Sequence, residues 1–260
     1  MTAGDERRAV LITGGGSGIG LACAQALAAA GWDVAISGRR TAVLEEAAAS
    51  MRGEHPGVEV ATFPADMGDG EQARALVADA IERFGRLDGL VCSAGAYESR
   101  PFDEMTDESW DAIVNVLLRG TAICSMEAAR HMAERGAGRI VLIGSVSGFL
   151  SEPRSAHYAA SKAGMHSLAR SITVDLGERG VIANAVASGF VATPMTRGLT
   201  EHPDQAMVQG VLARLNPLRR AGRPEELGEV VRYLIADAPD YLAGATITVD
   251  GGQTVMGGIH

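Results

Sequence analysis

At 260 residues with a formal net charge of −9, the chain holds too little positive charge for a general nucleic-acid partner or an anionic membrane surface. Hydrophobic residues make up 47% and charged residues 21%, which excludes a disordered polymer and leaves apolar material for one large core. The cysteines, Cys23, Cys92 and Cys124, are odd in number, widely spaced and set in apolar segments, which argues against a disulfide framework or a metal site and for a reducing compartment, the cytoplasm.

In chain order, Arg7 and Arg8 precede a short apolar run, 10–12, that passes straight into glycines. It is too short for a signal-peptide core and reads as a first buried strand. The spacing then predicts helix 20–30, strand 34–36, helix 41–51, strand 58–63, helix 70–84, strand 87–92, helix 107–134, strand 139–143, helix 158–176 and strand 182–186. A looser region follows, in which 194–217 is expected to form a mobile lid, before helix 224–235 and strand 245–249. No window approaches the run of about 18 apolar residues that a bilayer span needs. Apolar strands without polar alternation, separated by helices, predict an α/β doubly wound parallel sheet of about seven strands with helices on both faces. With no repeat or linker, residues 1–260 form one domain. Such sheets bind ligands beyond the carboxyl ends of their strands, which is where the chemistry-bearing residues fall.

After the first strand the chain reads Thr13-Gly14-Gly15-Gly16-Ser17-Gly18-Ile19-Gly20 and enters a helix. Glycines let the backbone turn tightly and approach a pyrophosphate, whose charge the helix N-terminus stabilises. The usual G-x-G-x-x-G does not thread here, because Ile19 stands where the last glycine is required; G-x-x-x-G-x-G fits through Gly14, Gly18 and Gly20.

Tyr158 and Lys162 lie four apart in a helical stretch and share one face. A free phenol, with a pKa of about 10, shuttles protons poorly near neutrality, and an adjacent ammonium is expected to lower that value. Lys162 is the only lysine among 23 basic residues, and a guanidinium does not replace its compact, rotatable charge. Ser145 follows strand 139–143 and is placed to hydrogen-bond the substrate oxygen; Ser147 is its rival, and either could simply cap the next turn.

With Asp66 after the third strand, and Val249-Asp250-Gly251-Gly252 following an Arg223-Pro224-Glu225-Glu226 helix start, the chain resembles the short-chain dehydrogenase/reductase family over essentially its whole length. The resemblance implies a Rossmann-type fold and hydride transfer between a nicotinamide and a carbonyl or secondary alcohol, with catalytic Ser145, Tyr158 and Lys162. It implies that Gly14, Ser17, Gly18, Ile19, Gly20, Cys92, Ala94, Gly95, Gly189 and Val191 contact the cofactor. Asp66 would take the adenine amine with Met67 beside it, Thr193 would fix the carboxamide, and Lys162 would hold the ribose. It also implies a homo-oligomer, tetramer or dimer, built on helices 107–134 and 158–176.

The chain departs from the family pattern at three places. Cys92-Ser93 replaces Asn-Asn, Ser188 replaces a proline, and Leu117 stands where an asparagine completes a catalytic tetrad; Asn115 lies about 200° away on an α-helix. At the end of the second strand, Gly38 occupies the position of an acid that would bind both ribose hydroxyls, and Arg39 and Arg40 follow. Cations there suit a 2′-phosphate, so NADP(H) is expected over NAD(H). Phe149, Leu150, Phe190, Met195 and Leu199 suggest a small to medium, partly apolar ketone or alcohol, with His157 and Glu152 tuning polarity. The competing readings are a cofactor-binding sensor or structural subunit without turnover, and an epimerase or dehydratase, which the glycine spacing disfavours.

Overall fold

The computed structural model describes residues 7–256. Strands and helices alternate: β1 Ala9–Thr13, α1 Gly18–Ala29, β2 Asp33–Gly38, α2 Thr41–Glu54, β3 Val60–Pro64, α3 Gly70–Phe84 and β4 Gly89–Cys92. There follow α4 Asp107–Val114, a π-helical turn Asn115–Gly120, α5 Thr121–Arg135, β5 Gly138–Ile143, α6 Ala156–Leu176 and β6 Val181–Ser188. The last part holds α7 Arg197–Thr200, α8 Gln205–Leu215, α9 Pro224–Arg232 and β7 Thr246–Val249.

The seven strands form one parallel sheet in the order β3-β2-β1-β4-β5-β6-β7. The pleat sends alternate residues to opposite faces. Leu11, Ala35, Leu90 and Leu142 pack under α3, α5 and α6, whereas Val10, Ile12, Val34 and Ile36 pack under α1, α2 and α9. The order in which strands are added reverses between β1 and β4, so the crevice of the doubly wound fold opens beyond the carboxyl ends of these two parallel strands.

Three details differ from the sequence expectation. The predicted continuous helix 107–134 is interrupted by the π turn at Asn115–Gly120, a single wider turn too short to alter the apolar periodicity of the helix around it. The angle assigned between Asn115 and Leu117 assumed α-helical pitch and does not apply there. The looser region contains two short helices: α7, entered from a 3-10 turn at Pro194–Thr196 that Thr193 caps, and α8, capped by Asp204. Finally, Asp107–Arg135, 29 residues with a mean hydropathy of 1.3 in its best window, is long and apolar enough to cross a membrane, contrary to the sequence expectation. Half of that window is buried, with Ile123, Cys124, Ala128 and Met132 packed against the sheet, as in a core helix.

Candidate active site

β1 delivers the chain into the glycine turn, and α1 starts at Gly18 with no acidic residue in its first turn and no side chain capping it. Its amino-terminal N–H groups and partial positive charge face the crevice. Gly14 adopts φ +70°, and a Cβ there would sit 2.8 Å from the Ala94 backbone; a Cβ on Gly20 would overlap the Gly14 carbonyl. Only glycine lets the two loops approach this closely. Thr13 Oγ1 accepts hydrogen bonds from the Ser93 and Ala94 N–H groups, both at 3.1 Å, pinning the loop after β4 to β1.

The crevice encloses about 590 Å³ and is lined by Gly14, Ser17, Gly18, Ile19, Gly20, Arg39, Arg40, Asp66, Met67, Ala94, Gly95, Thr193, Tyr158 and Lys162, as the sequence implied. Asp66 has one carboxylate oxygen on the Gly68 N–H at 2.8 Å; the cap of α3 is Asp69. Three further residues of the expected set are not among those that line the crevice. Cys92 is buried in the core, where desolvation pushes its thiol up to about 12, because the last residue of β4 points into the sheet face that α5 covers. Gly189 and Val191 line the adjoining cavity, since the chain after β6 has already turned away. Sequence reasoning missed Ile113 and Val116, three apart on one face over the crevice, which helical spacing alone would have placed as core. It also missed the buried Ser37 hydroxyl, which lacks a protein partner at the crevice wall. An extended slot with a glycine cradle, an open helix N-terminus, an unpaired buried hydroxyl and two arginines at one end fits a dinucleotide.

A second cavity of about 320 Å³ joins the crevice at Tyr158 and is roofed by Met195, Leu199 and Leu215 from the 194–217 segment. Tyr158 lies in the first turn of α6, its N–H donating to His157 Nδ1 at 2.9 Å. Ser145 lines the same cavity, and its hydroxyl acts on the phenol against the effect of burial. Ser145 Oγ accepts from the Ser147 N–H at 3.1 Å, so the serine caps its own turn while lining the cavity beside Tyr158. The Tyr97 ring meets Tyr158 edge-on at 5.3 Å.

Lys162 is 5% exposed and donates to the Ile143 carbonyl at 2.6 Å; its Nζ lies 5.6 Å from the Tyr158 ring centroid. Burial lowers it to about 8, with Cys92 acting the other way. The phenol, however, goes up rather than down: burial raises it, Ser145 opposes, and Glu152 and Tyr97 add to the rise. The ammonium lies beside the ring and is engaged by a backbone carbonyl, so the acidification expected from the four-residue spacing is not what this geometry produces. Leu117 is fully buried in the π turn.

A protein-family model described as enoyl-(acyl carrier protein) reductase matches residues 14–254. The cis-4-hydroxycyclohexanecarboxylate dehydrogenase of Sinomonas cyclohexanicum is 36% identical over 96% of this chain and 97% of its own length. The 3-oxoacyl-[acyl-carrier-protein] reductase MabA of Mycobacterium bovis is 39% identical over 95% of this chain and 92% of its own. The crystal structure of levodione reductase superposes with a TM-score of 0.90 at 33% identity, covering 96% of this chain and 98% of that one.

Proposed function

The chain belongs to the short-chain dehydrogenase/reductase family and is an oxidoreductase, and from that premise we propose that it reduces a ketone with NADPH, reversibly, using Tyr158 as the acid/base. The observation that carries this reading is the meeting of Ser145 and Tyr158 where the two cavities join, with Lys162 buried beside the tyrosine ring. A reduced nicotinamide supplies the hydride to the carbonyl carbon. Ser145 Oγ orients the carbonyl oxygen and shares its developing charge, and the Tyr158 hydroxyl donates a proton to that oxygen. A phenol held above its ordinary range arrives protonated, the form that a general acid needs. Lys162 adds a positive field beside the ring from a fixed position on Ile143. Tyr97 and the 194–217 segment exclude water from the reacting centre, and the segment opens and closes as a lid.

Arg39 and Arg40 support NADP(H). Both are exposed at the crevice beside Gly38, and among the described residues neither is in an ion pair. They sit where the dipole of α2 disfavours cations, which a 2′-phosphate would offset. The enzyme works in the cytoplasm as a homo-oligomer, dimer or tetramer, through the faces of α5 and α6. Initial rates with a panel of cyclic and linear ketones, run with each cofactor, test the reading: consumption of NADPH with alcohol formation is expected. Cofactor binding without turnover would instead identify a sensor, and saturation of a conjugated C=C with the carbonyl left intact would identify an enoyl reductase.

A further inference from the structure

The second cavity has an unbalanced composition. Tyr97, Phe190, Leu199 and Leu215 make its walls apolar and aromatic, and Glu152 is its one acidic residue; no arginine, lysine or histidine lines it. Of the neighbouring charges, Glu98 pairs with Arg100 and Arg197 with Glu201, while Arg154, outside the cavity lining, donates to the Ser99 hydroxyl at 3.3 Å and keeps its charge. Glu152 takes part in no ion pair among the described residues. The Ser155 hydroxyl donates to its backbone carbonyl at 2.9 Å, fixing the turn while leaving the side chain unengaged. Its charge reaches the reacting centre, since it contributes to the rise of the phenol after burial.

Glu152 is exposed at the rim of this aromatic-walled cavity, and a carboxylate so placed attracts an ammonium, to which the rings add cation–π interaction, and repels an anion of the same shape. From this cavity we infer that the substrate is a ketone or alcohol bearing an ammonium group, that carboxylate-bearing analogues are rejected, and that Glu152 determines this specificity. The inference rests on the ketone-reductase reading above. In the substrate complex the ammonium lies between Glu152 and the Tyr97 and Phe190 rings while the carbonyl reaches Ser145 and Tyr158.

The test compares kcat/KM of the full chain with NADPH, near neutral pH and low ionic strength, on three ketones of one shape: N-methyl-4-piperidone, 4-methylcyclohexanone and 4-oxocyclohexanecarboxylate. The expected order is ammonium, neutral, carboxylate. Glu152→Gln should lower the ammonium-to-neutral ratio by about five- to tenfold, mostly through KM, and Glu152→Lys should raise the carboxylate-to-neutral ratio. Turnover of the neutral ketone with ratios that neither variant moves would overturn the inference and leave the reductase reading standing. Failure of all three ketones, together with a broader panel, would remove both.

Discussion

Two residues decide how the site is used. If the Arg39 guanidinium binds a 2′-phosphate, Arg39→Ala should weaken NADPH by about 1–3 kcal/mol, the range of a charge-assisted hydrogen bond, and leave NADH nearly unaffected. Fluorescence titration with both cofactors reads this directly; equal losses would refer the arginine to general electrostatics. Tyr158 sets the pH response. Its phenol is held up by burial, with Ser145 opposing, so the proton stays on through the neutral range. Reduction consumes the protonated form and oxidation the ionised one, so the oxidation profile should peak at higher pH than the reduction profile. Coincident profiles would show that another group titrates. That Ser145, Tyr158 and Lys162 would come together where the two cavities meet was legible because each follows a strand or shares a helix face. The direction of the phenol shift was not, since it depends on where Lys162 Nζ finds its acceptor, the Ile143 carbonyl, and on burial. Spacing along a helix carries neither.

At the level of elements, α6 is the beam that holds the site. Its His166 wedges beneath the Ser145 turn: a Cβ on Gly144 or Gly148 would overlap the imidazole, and the Phe149 ring covers it at 4.7 Å. Burial lowers this histidine to about 4, assisted by Lys162 and Arg170. Between about 4 and its ordinary 6.5 the unfolded chain therefore binds more protons, and the stability present above 6.5 is lost as pH falls. Up to about 3 kcal/mol should disappear across that window. Urea unfolding of the parent and His166→Gln at several pH values checks this; a variant that keeps the parent's slope would exclude His166 as its source. The strands and most helices were legible from β-branched runs and alanine-rich periodicity. The π turn at Asn115–Gly120 was not, because it widens the helix where Leu118 packs onto Gly164, a tertiary contact with no local signature. The helices α7 and α8 escaped for a similar reason: they are short, and packing over the cavity rather than propensity holds them in place.

For the whole molecule, the order of strands places the crevice, and the crevice places the chemistry. Met126, in a groove between α5 and α6, is 46% exposed and Val174 of α6 is 82% exposed, apolar surface that a monomer has little reason to keep. Sedimentation velocity should find a dimer or tetramer, and Met126→Glu with Val174→Glu should release smaller species; a monomeric parent would remove the assembly from the account. The doubly wound sheet was legible as a whole because both faces are buried, whereas the burial of Cys92 and the place of Gly189 and Val191 in the second cavity depend on how the backbone leaves β4 and β6, which the sequence pattern does not carry. The measurement that reaches the central claim most directly is the steady-state reduction of the best ketone by Tyr158→Phe, with NADPH binding followed in the same preparation. Loss of the phenol proton should lower kcat by about 100-fold or more while NADPH still binds. A variant that turns over as fast as the parent would contradict the claim that this hydroxyl supplies the proton.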